Sequence, residues 1–110
     1  MTRIATFAEF WLYYLREHGR PATRALHYVG TMLVIACLIA GLVTGRWGFF
    51  LLMPVCGYLF AWAAHFLIER NRPATFSYPL WSLAADFVML GCWLSGRMGR
   101  ELDRAGVPRP

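Results

Sequence analysis

Long apolar runs dominate the chain and predict helices that cross a membrane. Residues 28–45 and 47–68 contain no charged side chain, and a helix needs about 20 such residues to span a bilayer. The short turn at residues 44–48 predicts that these two runs pair as an antiparallel hairpin. Residues 80–96 form a third, shorter apolar run that carries Asp86. The pattern therefore favours a small all-α membrane protein with a transmembrane hairpin and a third membrane segment.

The first residues follow a different pattern, in which apolar and aromatic side chains recur every three or four positions. This spacing predicts a helix over residues 4–18, with one face formed by Ile4, Phe7, Trp11, Tyr14 and His18. The helix is too short to span a bilayer, and charged residues occupy its other faces. We therefore expect it to lie at the membrane interface or to pack on the helical bundle.

The tetrapeptide RPAT occurs twice, at residues 20–23 and 72–75, each time before an apolar run. Proline is tolerated in the first turn of a helix, where its missing N–H is not needed. We interpret both copies as helix starts, and Pro79 as a further start before the third run. Residues 97–110 form a polar tail, so that residues 1–110 make up one membrane domain.

Composition agrees with a membrane protein and gives it an orientation. The chain is 58% hydrophobic with a mean hydropathy of +0.44, and all eleven basic residues are arginine, against six acidic residues. The arginines flank the apolar runs, which indicates membrane orientation and not nucleic-acid binding. Their excess on the side of the histidines predicts that this side faces the cytoplasm, in a bacterial inner membrane or a membrane of the endoplasmic-reticulum type. Tail arginines would oppose this orientation if the third segment crosses. A re-entrant or hairpin-like third segment would instead return the tail to the histidine side, and its short length, with Gly91, Gly96 and Asp86, leaves this open.

The three histidines of the chain are the main candidates for chemistry. A hairpin returns His27, at the entrance of the first apolar run, and His65, near the exit of the second, to the same side of the membrane. His18 lies just upstream of that entrance, and Glu69 lies one helical turn beyond His65. Asp86 would descend from the same side, so all these side chains can converge there.

Imidazole and carboxylate groups together suit non-haem iron, zinc or manganese, and the sequence leaves the metal open. A single interfacial histidine is more often a hydrogen-bonded structural residue, and only the convergence of three favours a metal site. Asp86 needs a partner in its apolar surroundings, for which we expect Arg70, Arg72 or a metal-bound histidine. The alternative is a purely structural ion pair between Asp86 and the loop ERNRP, residues 69–73. Asn71 can cap or hydrogen-bond within this loop.

Two stretches of the sequence resemble a known family. YLREHGRPATRALHYVGT, followed by GYLFAWAAHFLIERNRPATFSYPLWSLAADFVM, is similar to the small membrane proteins related to the fungal 2-hydroxy fatty acid dioxygenase of phytosphingosine breakdown. The similarity covers residues from about Phe7 to Met89. It implies an iron(II)-dependent enzyme that uses dioxygen to shorten a long-chain 2-hydroxy fatty acid by one carbon. It also implies that His18, His27 and His65 are the iron-binding and catalytic residues.

Under this interpretation the neighbouring polar residues support the iron and the substrate. We expect Glu69 and Asp86 to orient the histidines, and Arg70 or Arg72 to pair with the substrate carboxylate. The alternative is a non-enzymatic membrane protein, in which a histidine-rich polar lid holds the helical bundle or binds a partner. Haem ligation by two of the histidines is a third possibility. Acyl chain length and oligomeric state do not follow from the sequence.

Overall fold

The computed structural model describes residues 3–108, and every regular element in that range is helical. The predicted all-α fold is therefore confirmed. There are five α-helices in this range: α1 Phe7–Arg16, α2 Pro21–Thr44, α3 Gly48–Ala63, α4 Pro79–Leu94 and α5 Met98–Ala105. A π-helical segment, Ala64–Glu69, continues α3, and a 3-10 turn, Ala74–Phe76, precedes α4. Arg109, in the predicted tail, lies outside the described residues.

The two longest helices form the predicted hairpin. Helix α2 has 24 residues, and α3 together with its π-helical segment has 22, so both are long and apolar enough to cross a membrane. Helix α2 starts at Pro21, seven residues before the predicted run, because proline fixes the backbone in the first helical turn. His27 therefore lies well inside α2 and not at its entrance. The helix ends where Gly45 adopts a left-handed conformation and its N–H donates to the Gly41 carbonyl.

Small residues on α2 allow the two helices of the hairpin to approach closely. A Cβ atom added at Gly30 would lie 3.0 Å from Cβ of Phe60 and 3.2 Å from the carbonyl oxygen of Cys56. One added at Gly41 would lie 2.6 Å from the Phe50 ring. Side chains of α3 thus fill the space that these glycines leave, as in closely packed membrane helices.

Helix α1 packs on one end of the bundle and supplies much of its core. Thr6 caps α1 by accepting a hydrogen bond from the Glu9 N–H. Phe10, Tyr14 and Leu15 are fully buried against residues of α4 and α5. The burial of these large side chains, at about 2 kcal/mol each, accounts for the position of α1. Of the two positions expected for this helix, contact with the bundle is the one observed.

Helix α4 lies across the histidine end of the hairpin and does not run to the far turn. Near its start, Trp81 packs on Phe10 of α1, and near its end Trp93 stacks on Tyr28 of α2. Glu101 of α5 then accepts a hydrogen bond from the Trp11 indole. The chain after α4 therefore returns to the side of the histidines. This geometry differs from a third segment that descends across the membrane.

The two copies of RPAT have different structures. The first begins α2 as predicted, with Arg20 as the cap and Pro21 in the first turn. The second begins only the 3-10 turn at Ala74, so it does not start the apolar helix as interpreted. Pro79 instead starts α4. The backbone of Pro73 is extended, which separates the turn from the π-helical segment before it.

We expect the substitution Gly30→Leu to lower stability, because it forces α2 and α3 apart. Overpacking of this kind costs about 1–3 kcal/mol. Gly91→Leu is the matched control, since a side chain at Gly91 in α4 meets open space and removes a helical glycine. Thermal unfolding in detergent should show a lower midpoint for Gly30→Leu and an unchanged or higher one for Gly91→Leu. Equal midpoints would contradict the close helix contact.

Candidate metal centre

The structure brings the three histidines together in one buried cluster. Nε2 of His18 lies 3.0 Å from Nε2 of His27 and 3.0 Å from Nε2 of His65. The three rings stand nearly perpendicular to one another, with interplanar angles of 81–85°. All three residues are at most 4% exposed. Within the described residues, this is a group of side chains whose positions suit a metal ion.

Each histidine comes from a different element of the fold. His18 follows the end of α1, His27 lies in α2, and His65 lies in the π-helical segment after α3. The hairpin alone brings two of the rings together, and the docking of α1 adds the third. The cluster therefore requires the tertiary structure and cannot form on one helix.

The outer nitrogen of each ring has a protein partner. Nδ1 of His18 lies 2.6 Å from the Tyr14 carbonyl oxygen, and Nδ1 of His27 lies 2.9 Å from the Thr23 carbonyl oxygen. A carbonyl only accepts hydrogen bonds, so both Nδ1 atoms carry the proton. In a neutral ring this leaves Nε2 unprotonated, with its lone pair directed at the centre of the cluster.

Asn71 fixes His65 in the same way. Its amide nitrogen lies 3.0 Å from the Glu17 carbonyl oxygen and 3.1 Å from a Glu17 carboxylate oxygen, and both of these atoms only accept. The amide oxygen must then face His65, where it lies 2.7 Å from Nδ1. Nδ1 of His65 is therefore the donor, and its Nε2 is unprotonated like the other two.

The Nε2 lone pair of His18 lies 3.0 Å from those of His27 and His65, and lone pairs this close repel one another unless a cation lies between them. A shared proton would require a charged imidazolium, but burial, together with the nearby rings of His27 and His65, holds the pKa of His18 well below its usual range. Nitrogen atoms bound to one metal ion at about 2.1 Å lie about 3 Å apart, which is the spacing observed between His18 and each of the other two histidines. The donor set thus fits a metal ion, and neutral imidazoles suit iron, zinc or manganese.

The π-helical segment determines how His65 faces the cluster. Such segments are rare and occur frequently at functional sites. It ends at Arg70, which adopts a left-handed conformation with φ of 59° that is costly for a residue with a Cβ. The His65 carbonyl accepts from the N–H groups of both Arg70 and Asn71. This tight ending turns Asn71 back onto the His65 ring.

Glu69 supports the cluster through the backbone near His27. One carboxylate oxygen accepts from the Arg20 N–H at 2.5 Å and from the Thr23 hydroxyl at 2.8 Å. Glu69 therefore fixes the first turn of α2, where the Thr23 carbonyl holds His27. The expected direct contact between Glu69 and a histidine is not the one observed, because the π-helical turn changes the spacing on which it was based.

Asp86 has a partner that differs from the expected ones. Its carboxylate accepts a short hydrogen bond from the Tyr14 hydroxyl, and not from Arg70, Arg72 or a histidine. The Tyr14 ring stacks on the His18 ring at a centroid distance of 4.0 Å. Asp86 thus acts on the cluster only through Tyr14. Its expected arginine partners, Arg70 and Arg72, are exposed on the surface, whereas Tyr14 of α1 meets α4 at Asp86.

The loop arginines point away from the histidines. Arg70 and Arg72 are exposed, and the Arg72 guanidinium lies over the Phe76 ring, 5.2 Å from its centroid. The buried arginine beside the cluster is Arg24, which donates to the His18 carbonyl at 2.9 Å and to the Gly19 carbonyl at 3.1 Å. Sequence reasoning missed Arg24, although it lies one helical turn before Tyr28 in the motif that contains His27.

Comparison with known proteins gives a match to a family model. A family model described as 2-hydroxy-palmitic acid dioxygenase Mpo1-like matches residues 4–98, which include all three histidines and most of the chain. No curated protein and no solved structure matches the chain. The family resemblance expected from the two sequence motifs is confirmed.

We expect Asn71→Leu to weaken metal binding about 10- to 100-fold, as is typical when the partner that orients a ligand is lost. The His65 ring would lose its acceptor, so Nδ1 would no longer be fixed as the donor. Competition with a chromophoric chelator measures the affinity directly. Arg72→Gln is the neighbouring control and should leave the affinity unchanged. Equal affinities for the two variants would show that Asn71 does not position the ligand.

Proposed function

The chain belongs to the Mpo1-like family, described as 2-hydroxy-palmitic acid dioxygenase Mpo1-like, and we propose that it is an iron(II)-dependent dioxygenase that shortens long-chain 2-hydroxy fatty acids by one carbon. The observation that carries this proposal is the meeting of three unprotonated Nε2 atoms in a buried cluster. His18, His27 and His65 would hold the iron, which supplies the electron transfer that dioxygen requires when it is bound.

The substrate class suits a site in which three histidines occupy one side. A 2-hydroxy acid carries a hydroxyl and a carboxylate on adjacent carbons, so it offers two oxygen ligands that a metal can accept together. Both are hard oxygen donors, and they complement the imidazole set. The hydrocarbon chain of the acid could lie along the apolar helices of the protein.

The residues of the chain hold the site rigid and dry. Tyr14, Thr23 and Asn71 keep the proton of each ring on Nδ1, so that every Nε2 remains available as a ligand. Glu69 acts through Thr23, and Asp86 acts through Tyr14. The buried aromatic layer of α1 excludes water from one side of the cluster. Arg70 and Arg72 remain candidates for the substrate carboxylate only if the exposed loop moves, whereas Arg24 is already beside His18.

We further propose that the hairpin spans a membrane with the histidines on the cytoplasmic side. Arg46 is the only arginine in the far turn. Because the chain returns after α4, Arg97, Arg100 and Arg104 lie with the other arginines at the histidine end. Cytoplasmic segments of membrane proteins carry an excess of Lys and Arg, and the tail arginines no longer oppose this orientation. An exposed apolar stripe on α4 then faces the lipid, formed by Leu80, Leu83, Phe87, Val88 and Leu94.

Metal content and turnover test the proposal together. The wild-type protein, loaded anaerobically with iron(II), should retain near-stoichiometric iron and consume dioxygen with 2-hydroxypalmitic acid, giving an acid one carbon shorter. His18→Ala, His27→Ala and His65→Ala should each lose the iron while thermal unfolding still shows a folded protein. Elemental analysis and mass spectrometry of the product are the measurements.

Zinc loading provides the matched control. Zinc(II) accepts the same imidazole ligands but has no redox chemistry, so zinc-loaded protein should bind the metal and consume no dioxygen. Retention of neither metal by the wild type would refute the metal centre and favour a structural role for the cluster. Iron retention without oxygen consumption would refute only the proposed reaction. A haem is a poor fit, since rings that meet at 3.0 Å leave no room for a flat macrocycle between them.

A further inference from the structure

Helices α3 and α4 diverge from each other below the histidine cluster and leave a cleft between them. The cleft encloses about 210 Å³ and has α2 as its floor. We call it the α3–α4 cleft and define it by Val34 of α2, Met53, Pro54 and Gly57 of α3, and Leu83 and Phe87 of α4. It arises because α4 crosses the end of the hairpin and does not pack along α3.

The cleft begins directly beneath the metal centre. Thr31 lines it and lies one helical turn after His27 on the same face of α2. Asp86 also lines it, and its partner Tyr14 stacks on His18. At about 1.5 Å per residue, the eleven positions from His65 back to Pro54 place the lower end about 16 Å from the level of the histidines.

The character of the cleft changes along its length. Thr31 and Asp86 make the histidine end polar, whereas Val34, Met53 and Pro54 make the lower end apolar, and Tyr58 also lines the cleft. Gly57 widens it, since a Cβ atom there would lie 3.3 Å from a Val34 methyl group. The rim is formed by Leu83 and Phe87, which are 47% and 41% exposed on the apolar surface of the molecule. The cleft is therefore open sideways, toward the surface that we propose contacts lipid.

We propose that the α3–α4 cleft binds the hydrocarbon chain of the 2-hydroxy fatty acid, which enters sideways from the bilayer and places its hydroxyl and carboxylate at the histidines. This inference depends on the proposed substrate class. It deepens that proposal by assigning the residues that select an acyl chain. Each methylene buried in the cleft should tighten binding about fourfold, until the chain extends past the lower end of the cleft.

Photolabelling locates the bound chain without turnover. Zinc-loaded protein in lipid nanodiscs is exposed to 2-hydroxypalmitic acid that carries a diazirine at the end of its chain, and peptide mass spectrometry identifies the labelled residues. We expect labels on Val34, Met53 or Pro54 at the lower end of the cleft, removed by an excess of unlabelled 2-hydroxypalmitic acid. Labels spread over the lipid-facing residues Leu42, Leu51 and Leu59, with no enrichment in the cleft, would overturn the inference.

The second measurement is the substrate affinity of a variant in which a larger side chain fills the cleft. Val34→Phe should lower the affinity for 2-hydroxypalmitic acid at least tenfold and leave that for 2-hydroxyoctanoic acid within twofold, with zinc content unchanged. Leu38→Phe is the matched control, since Leu38 is an exposed residue one turn further along α2. An equal loss for both acids, or an equal effect of the two variants, would overturn the assignment.

The results separate this inference from the proposed reaction. Cleft labelling together with iron-loaded protein that consumes no dioxygen would support the binding site and refute the dioxygenase. Oxygen consumption that requires the histidines, together with labels outside the cleft, would support the dioxygenase and overturn the cleft as the site of the chain.

Discussion

The mutual repulsion of three imidazole lone pairs is the constraint on which the architecture depends. Each Nε2 is unprotonated because the opposite nitrogen of its ring donates to a fixed acceptor. Two of these acceptors are backbone carbonyls four residues earlier in the chain, and the third is the Asn71 amide. The protein thus uses ordinary hydrogen bonds to hold three acceptors at a distance that only a cation makes favourable. An arrangement that could hold a metal ion is therefore less stable when no cation is bound.

The remaining structure resists this repulsion from three directions. Close contact at Gly30 and Gly41 holds α2 against α3, which fixes His27 and His65 relative to each other. The buried aromatic side chains of α1 hold His18 in place from above. Arg24 joins α2 to the end of α1 through the His18 and Gly19 carbonyls. The positions of the rings follow from packing that extends well beyond the site.

Much of the fold could be predicted from the sequence, because hydrophobic periodicity and turn residues determine it locally. The hairpin, the short first helix and the shared location of the histidines follow from such patterns. The path of α4 does not, since a largely apolar helix of 16 residues suits both a helix that lies across the end of the hairpin and a short membrane span. The partner of Asp86 was missed for this reason, because it depends on which helix α4 meets.

The fine structure of the site was the least predictable part. The π-helical segment has no clear sequence signal, and it replaces the i, i+4 geometry from which a direct contact between Glu69 and His65 was expected. Asn71 was recognised as a loop residue that can cap or hydrogen-bond, but its contact with His65 depends on a left-handed Arg70. Strained backbone and long-range contacts of this kind are set by the whole fold, so local patterns do not reveal them.

The origin of the three ligands in separate elements has a consequence for the biogenesis of the protein. Under the proposed topology, His27 and His65 are carried by helices that enter the bilayer, whereas His18 follows a helix that stays outside it. The third ligand can join the other two only after the hairpin has been inserted and α1 has folded onto it. If the cluster binds iron as proposed, a nascent chain in the cytosol would offer no complete site to a metal ion, and metal loading would be a late event, coupled to arrival at the membrane.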